Sequence, residues 1–119
     1  MQTNLLRPKI FLFTLVTGHI RVMTITKQFT VKNIQGWHAR PCAVIVRTVS
    51  KYPDIQVSFS CPKRTSISAS GTSIFQLMTL GINCGDSIIV TLTGENSQRI
   101  DRLIEVLHAI ISQQDLDDL

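Results

Sequence analysis

The stretch GWHARPCAVIVRTV, Gly36 to Val49, contains the point at which a loop becomes a helix. Its apolar residues recur at i, i+3, i+4 and i+7, the spacing of one helical face: Cys42, Ile45, Val46 and Val49. Pro41 fits the first helical turn, where its missing N–H costs nothing. Pro53 disfavours a helical conformation for the residue before it. The stretch therefore predicts a helix over about residues 40–51.

Alternating apolar and polar residues on either side of this helix predict four strands. The inward-facing residues are, strand by strand, Ile25, Phe29 and Val31; Ile55, Val57 and Phe59; Thr65, Ile67 and Ala69; and Ile88, Val90 and Leu92. The second and third of these strands are joined by a short link that contains Pro62. Such a link favours an antiparallel hairpin.

Two more helices complete the predicted order. One begins at Ser73, with Leu77 and Leu80 facing inward and Gly81 as its C-terminal cap. The last is the most regular amphipathic pattern of the chain and is capped near Asn96. The order β-α-β-β-α-β-α predicts an α+β fold in which three helices cover one face of a four-stranded antiparallel sheet.

Residues 1–22 differ from the rest of the chain. Two cations precede an apolar run from Ile10 to Val16, which loosely resembles a signal peptide, but no A-x-A-like cleavage site follows the run. We favour the alternative that translation begins at Met23, because the strand pattern starts one residue later. The expected organisation is a leader outside the fold, a domain over residues 23–113 and a fraying acidic tail over residues 114–119.

Composition excludes several classes of function. The chain has 119 residues, 44% of them hydrophobic, which is enough for one domain with a single core, expected to be a monomer. Without the leader's three cations, nine Lys and Arg face eight Asp and Glu, so nucleic acid is not an expected partner. No run approaches the roughly 18 apolar residues of a membrane span. Three cysteines without CxxC spacing favour a reducing cytoplasm.

His38 lies at the start of the first predicted helix, where unpaired N–H groups and the helix dipole favour an anion such as phosphate. Arg40 adds a donor for a phosphoryl oxygen. A ring nitrogen of His38 is therefore a candidate nucleophile for a phosphoryl group. The alternative is an exposed histidine that only caps the helix, and the residues alone leave this open.

Other kinds of site receive little support from the sequence. The motif contains no carboxylate that would complete a triad, and neither Asp54 nor Asp86 can be assigned by spacing. There is no P-loop lysine and no GxGxxG pattern. A metal site at His38 would need His19 or His108 as a second ligand, and no sequence pattern brings either of them to His38. No cofactor and no metal are therefore expected.

Two motifs resemble those of the HPr family, the phosphocarriers of the bacterial phosphoenolpyruvate-dependent sugar phosphotransferase system. GWHARPC, at Gly36 to Cys42, is similar to the family's active-site signature, Gly-hydrophobic-His-x-Arg-Pro-Ala. TSIFQLMTLGINCGDSIIVTLTG, beginning at Thr72, is similar to its second signature. Both stand at the family's spacing, and the resemblance covers Met23 to about Gln113. It implies an open-faced β-sandwich, the arrangement predicted above.

The resemblance also implies a phosphoryl relay. Enzyme I, itself phosphorylated by phosphoenolpyruvate, would transfer its phosphoryl group to Nδ1 of His38, and IIA domains of sugar permeases would then take it. Arg40 matches the family's active-site arginine, and Pro41 shapes the helix start. Such a protein is a carrier with a phosphohistidine intermediate, not an enzyme that turns over alone.

Regulation and docking follow from the same resemblance. Ser73 matches the serine that an ATP-dependent HPr kinase/phosphorylase modifies in many bacteria, although plain N-capping is an alternative role. The residues that correspond to partner-docking positions are Trp37, Arg47, Ile74, Phe75 and Met78. Trp37 and Cys42 depart from the family's usual Leu or Ile and Ala. We expect the indole to cover the site or extend the docking surface, and Cys42 to pack inertly.

Two further interpretations remain open at this point. The chain could be an HPr paralogue with a mainly regulatory role, including nitrogen-related signalling, and nothing in one sequence separates this from sugar transport. It could also be an interaction module that is not phosphorylated and that uses only the apolar residues after Ser73. Retention of both His38 and Arg40 argues against the second interpretation.

Overall fold

Eight elements follow one another in the part of the chain that the structure describes. The computed structural model of the protein describes the backbone of Ile10–Thr14 and the whole of residues 21–114. In order, the elements are β1 (Ile10–Thr14), β2 (Arg21–Thr30), α1 (Ala39–Val49), β3 (Gln56–Ser60), β4 (Ser68–Ser70), α2 (Ile74–Thr79), β5 (Ser87–Gly94) and α3 (Ser97–Ser112). One antiparallel sheet contains all the strands, in the order β1-β2-β5-β3-β4.

Strand β5 forms the centre of the sheet, between β2 and β3, and every second residue along it is buried. Ile88, Val90 and Leu92 are fully buried against the helices. Leu92 is opposite Ile25 on one side and Val57 on the other, so three strands contribute to one layer of core. The four strands predicted from the sequence therefore form the predicted antiparallel sheet.

Three helices cover one face of this sheet, as predicted. Helix α1 packs against α2 and α3, and α3 also packs against β2 and β5. The helical residues in the core include Cys42, Ile45, Val49, Leu77, Ile100, Leu103, Leu107 and Ile111. Full burial of a side chain of this size stabilises a fold by about 1.5–3 kcal/mol. The predicted cap of the last helix is confirmed, because Asn96 Oδ1 accepts from the N–H groups of Gln98 and Arg99.

The other face of the sheet carries hydroxyl and amide side chains. Thr24 and Thr93 share a hydrogen bond of 3.0 Å between their hydroxyls, and Gln28 Nε2 donates to Ser87 Oγ at 2.6 Å. These cross-strand pairs satisfy polar groups on the face opposite the three described helices. Within the described part of the chain, no helix is both long enough and apolar enough to span a membrane.

The leader was predicted to lie outside the fold, and this is wrong for part of it. Strand β1 pairs with β2 from Ile10 opposite Ile25 to Thr14 opposite Arg21, and β2 itself begins at Arg21. This pairing occupies backbone N–H and C=O groups that β2 would otherwise expose as the edge of the sheet. The sheet therefore has a fifth strand. The start of translation at Met23 stays a prediction, and most of the acidic tail lies outside the described residues.

The third predicted strand is shorter than expected, and its central residue does not face inward. Strand β4 begins only at Ser68, and Ile67 is 62% exposed. A turn closes after β3, in which the N–H groups of Arg64 and Thr65 both donate to the Cys61 carbonyl. Because this turn extends to Thr65, the ladder with β3 starts at the Ser60–Ser68 pair.

Candidate functional site

His38 is the N-cap residue of α1 and is exposed. Its backbone is extended, with φ −88° and ψ −160°, and its carbonyl accepts from the N–H of Cys42 at 3.3 Å. The imidazole makes no capping hydrogen bond to the helix. The ring is therefore presented at the surface, next to the first N–H groups of the helix, which have no partner within it.

The first turn of α1 contains a cation and no acidic residue. Arg40 is exposed on this turn, and Pro41 is buried beneath it. The positive end of the helix dipole is thus reinforced by a guanidinium and opposed by no carboxylate within the turn. This combination favours a phosphoryl group beside His38.

The loop that leads to His38 is fixed against the loop that follows α2. Gly36 has a φ of 73°, and a Cβ atom there would lie 2.4 Å from the Ile82 carbonyl oxygen. That same oxygen accepts from the backbone N–H of Trp37 at 3.0 Å. Only glycine combines this left-handed conformation with so close an approach. The structure in this way brings the two sequence motifs together, since Ile82 belongs to the second one.

Trp37 does not lie on the docking surface, and its predicted docking role is wrong. The side chain is only 4% exposed and meets the ring of Phe59 edge-on, with 5.5 Å between the ring centroids. Its Nε1–H donates to Asn33 Oδ1 at 3.0 Å. Trp37 occupies the position before the helix cap, from which an apolar side chain packs back under the first turn of a helix. The departure from the family's smaller residue therefore alters the core, not the docking surface.

Cys42 packs inertly, as predicted. It is completely buried, and its Sγ donates to the Trp37 carbonyl at 3.6 Å. Burial raises the pKa of this thiol to about 11. Because the thiolate is the reactive species, Cys42 is a poor nucleophile at neutral pH.

Ser73 is the N-cap residue of α2 and is half-buried. Its Oγ accepts from the Gln76 N–H at 3.1 Å, while Gln76 Oε1 accepts from the Ser70 N–H at 2.8 Å. The capping role that the sequence left as an alternative is thus present. Thr72, directly before it, is exposed and shares a hydrogen bond with the Ser70 hydroxyl. Modification of Ser73 stays a prediction.

Helix α2 presents a row of apolar side chains to solvent. Phe75 is 77% exposed, Met78 43% and Ile74 40%, whereas Leu77 is fully buried. The predicted division of this helix into an inward stripe and an apolar outer surface is confirmed. Arg47 is exposed on α1, so it is also accessible to a partner.

The two carboxylates that the sequence left unassigned are each paired with an arginine. Asp54 accepts from Arg99 Nε and Nη2 at 2.8 and 2.7 Å, and Asp86 accepts from Arg64 Nε and from the Asn83 N–H. These arginine hydrogen bonds lower the pKa of both carboxyl groups. Among the described residues, no group of three or more His, Cys, Asp and Glu side chains is arranged to hold a metal ion.

Asn33 is a part of the site that sequence reasoning missed. It is buried, and it is hydrogen-bonded to Trp37 and to the end of α3. In the sequence it is one polar residue of a loop that ends at Gly36. Its partners at the end of α3, Ile110 and the C-cap residue Gln113, are 77 and 80 residues away, so no local pattern could identify them.

Comparison with known proteins gives a consistent family. Residues 25–112 match the family described as "PTS HPr component phosphorylation site". The "Multiphosphoryl transfer protein" of Haemophilus influenzae is 37% identical over 71 residues, which cover 60% of this chain but only 14% of that relative. The "Phosphocarrier protein HPr" of Borreliella burgdorferi is 26% identical over 74 residues, or 62% of this chain and 81% of that protein.

Solved structures show the same fold. The crystal structure of a phosphocarrier protein HPr from Bacillus anthracis superposes with a TM-score of 0.63 at 23% identity, and the match covers 74% of this chain and 96% of that one. The family match includes both His38 and Ser73 and extends over more than half of the sequence. The chain therefore belongs to the PTS HPr family of HPr-like phosphocarriers.

Proposed function

We propose that this chain accepts a phosphoryl group on Nδ1 of His38 from Enzyme I and passes it to IIA domains of sugar permeases. The observation that carries the proposal is the placement of His38, an exposed N-cap whose imidazole is not used to cap the helix. A histidine that served only as a cap would direct its side chain to the N–H groups of the first turn. This one leaves its ring available for chemistry.

The transfer requires little from this chain besides alignment. The lone pair on Nδ1 of His38 attacks the phosphorus of the donor's phosphohistidine, and a new N–P bond forms. The N–P bond of the donor breaks, and its electron pair stays on the donor's imidazole nitrogen. The second transfer repeats these steps with His38 as the donor. Since phosphohistidine is already energetic, positioning and charge stabilisation supply the catalysis.

Charge at the start of α1 supports both transfers. The helix N-terminus stabilises an adjacent anion by about 0.3–1 kcal/mol, and the Arg40 guanidinium can donate to equatorial phosphoryl oxygens as charge spreads over them. The first turn has no acidic residue that would repel the group. Arg40 thus has the role of stabilising the phosphoryl group and the transition state.

Partner docking is assigned to the apolar surface of α2, Ile74, Phe75 and Met78, together with Arg47 on α1. Exposed aromatic, methionine and arginine side chains are typical of protein interfaces. The names of the relatives, multiphosphoryl transfer protein and phosphocarrier protein HPr, support partners from the same phosphotransferase system. The cytoplasm is the location that we propose for this activity.

Ser73 is the proposed site of a second, regulatory phosphorylation by an HPr kinase/phosphorylase. Its hydroxyl is at the N-terminus of α2, where a phosphate oxygen can replace Oγ as acceptor for the Gln76 N–H. The added charge of about −2 would stand directly before the apolar docking residues. We expect it to obstruct Enzyme I.

Incubation with Enzyme I and labelled phosphoenolpyruvate tests the main proposal. We expect label that is acid-labile and base-stable on the wild type, and none on His38→Ala. His108→Ala is the matched control, because His108 is also exposed but lies on α3, where its ring stacks on Phe29. This variant should accept label as the wild type does. A wild type that takes up no label would overturn the proposal.

A further inference from the structure

Asn33 has a buried side-chain amide, and both its nitrogen and its oxygen are hydrogen-bonded. It is only 2% exposed. Its Oδ1 accepts from Trp37 Nε1 at 3.0 Å, and its Nδ2 donates to the carbonyl oxygens of Ile110 at 3.0 Å and Gln113 at 2.6 Å. Both amide hydrogens and one carbonyl lone pair are thus used. A buried amide that is satisfied in this way specifies one conformation, because every alternative leaves polar groups unpaired.

The carbonyls that Asn33 binds are those of Ile110, in the last turn of α3, and of Gln113, the C-cap residue that follows it. The last carbonyls of a helix lack the N–H partner that the next turn would supply. The backbone continues the same connection, because Lys32 N–H donates to the Ile111 carbonyl at 2.9 Å and Ile34 N–H to the Gln114 carbonyl at 3.0 Å. The loop before His38 is therefore attached to the C-terminal end of α3 by side-chain and backbone hydrogen bonds together.

Trp37, the residue directly before His38, is connected to the same loop and to the core. Its N–H donates to the Ile82 carbonyl, its carbonyl accepts from Cys42 Sγ, and its indole is enclosed in the core. The indole N–H then joins it to Asn33. An aliphatic residue at this position could fill space but could not make that hydrogen bond. The backbone entering His38 is thus restrained from the side of α2 and from the side of α3.

We propose that Asn33 and Trp37 are a pair of positioning residues for phosphoryl transfer at His38. Neither contacts the phosphoryl group in this assignment. Through their hydrogen bond they hold the backbone of His38 in the orientation that aligns Nδ1 with the donor. The inference rests on the proposed function, since it concerns the rate of that transfer. In-line transfer depends on near-attack geometry, and a misplacement of about 1 Å can cost 100-fold in rate.

Single-turnover transfer from phosphorylated Enzyme I tests the proposal with three variants. Trp37→Phe removes the indole N–H and keeps an aromatic ring in the core. Asn33→Ala removes the amide. Asn96→Ala is the matched control, because it removes the cap at the opposite end of α3, whose two hydrogen bonds measure 3.0 and 3.1 Å. Thermal unfolding is measured for each variant.

We expect the rate constant at saturating Enzyme I to fall about tenfold in Trp37→Phe and in Asn33→Ala, because local preorganisation is lost. The Enzyme I concentration that gives half-saturation should stay within about twofold, since the docking residues are untouched. The double variant should be no slower than the slower single variant, because both changes break the same hydrogen bond. Asn96→Ala should lose stability and keep the wild-type rate.

The possible results distinguish a failure of the positioning role from a failure of the proposed carrier function. If the wild type is labelled on His38 and Trp37→Phe transfers at the wild-type rate, the positioning role is overturned and the carrier function stands. A rate loss in Asn96→Ala equal to that in Asn33→Ala would also overturn it, since lower stability would then explain both. If the wild type takes no label, both proposals fall. Should Asn33→Ala not fold, Trp37→Phe decides the question alone.

Discussion

The indole Nε1–H of Trp37 donates a 3.0 Å hydrogen bond to Oδ1 of Asn33, and both residues are buried. Trp37 directly precedes the histidine at the start of α1, and Asn33 binds the carbonyls of Ile110 and Gln113 at the end of α3. The side chain of Asn33 therefore connects the start of the first helix with the end of the last. Residues that determine the shape of this site are consequently found well outside its surface.

Gly36 is the position in the site loop where a side chain is least tolerated. We expect Gly36→Ala to destabilise the fold by at least 3 kcal/mol, from about 1–2 kcal/mol for the left-handed conformation and more for displacing the Ile82 carbonyl. Gly81→Ala is the matched control, because its φ is 67° and, apart from its chain neighbours, no described residue has an atom within 4 Å of the added Cβ. That variant should lose only about 1–2 kcal/mol. Urea unfolding measures both, and equal losses would contradict the close-approach explanation.

Arg40 should matter for transfer and little for stability. Arg40→Ala removes a donor for the phosphoryl oxygens, and we expect transfer from Enzyme I to slow by roughly 100-fold. Because the side chain is exposed, the free energy of unfolding should change by less than about 0.5 kcal/mol. Lys51→Ala removes another exposed cation just beyond the other end of α1 and should leave the rate unchanged. A large stability loss in Arg40→Ala would instead assign the residue to the scaffold.

On α2, a change at Phe75 should weaken the binding of Enzyme I, whereas a change at Leu77 should lower the stability of the fold. Phe75 is 77% exposed, so Phe75→Ala should raise the Enzyme I concentration for half-saturation by about tenfold with little change in stability. Leu77 is fully buried, so Leu77→Ala should cost about 2–5 kcal/mol of unfolding free energy. Titration with Enzyme I and thermal unfolding measure the two effects. If Phe75→Ala leaves half-saturation unchanged, partners dock elsewhere.

Ser73 combines a structural role with a proposed regulatory one. Incubation with a cognate HPr kinase and ATP should give acid-stable phosphate on the wild type and on Thr72→Val, but none on Ser73→Ala. The last variant should also lose about 1 kcal/mol of stability, because Gln76 N–H loses its capping acceptor. Phosphate on Thr72 in the wild type would show that the exposed neighbour is the substrate.

Stability should fall at alkaline pH in a way that depends on Cys42. Burial raises the pKa of its thiol from 9.0 to about 11, so the folded state holds the proton more tightly than the unfolded state does. The resulting stabilisation is complete below about pH 9 and is lost as the pH rises to about 11. Urea midpoints between pH 8 and 11 should therefore decline more steeply for the wild type than for Cys42→Ala. Cys84→Ala, which alters an exposed thiol, should follow the wild type.

Most of the fold could be predicted because it depends on local periodicity. The alternation in β5 and the helical spacing in α1 and α3 each bury one face, and the structure has them in that arrangement. The position of His38 at a helix start followed from Pro41 and the apolar stripe after it. These features need only the geometry of a single element.

The remaining features depend on tertiary contacts that sequence spacing does not encode. Trp37 could have pointed outward or inward from the end of its loop, and the space beside Phe59 decides which. Ile67 continues a strand pattern but lies in a segment that the turn after Cys61 keeps off the ladder. The apolar run from Ile10 was interpreted as a leader, because nothing local indicates that β2 has an open edge for it.

The bonds between Asn33 and the carbonyls of Ile110 and Gln113 also set an order of events during synthesis. The histidine emerges from the ribosome long before the segment that fixes its loop, because those contacts join residues 77 and 80 positions apart. Contacts of such long sequence separation form late, after the intervening chain has been ordered. A nascent or truncated chain that ends before Gln113 thus contains His38, the proposed phosphoryl acceptor, without both carbonyl partners of Asn33. We therefore expect transfer at the full rate only once the last turn of α3 and its C-cap residue have been made.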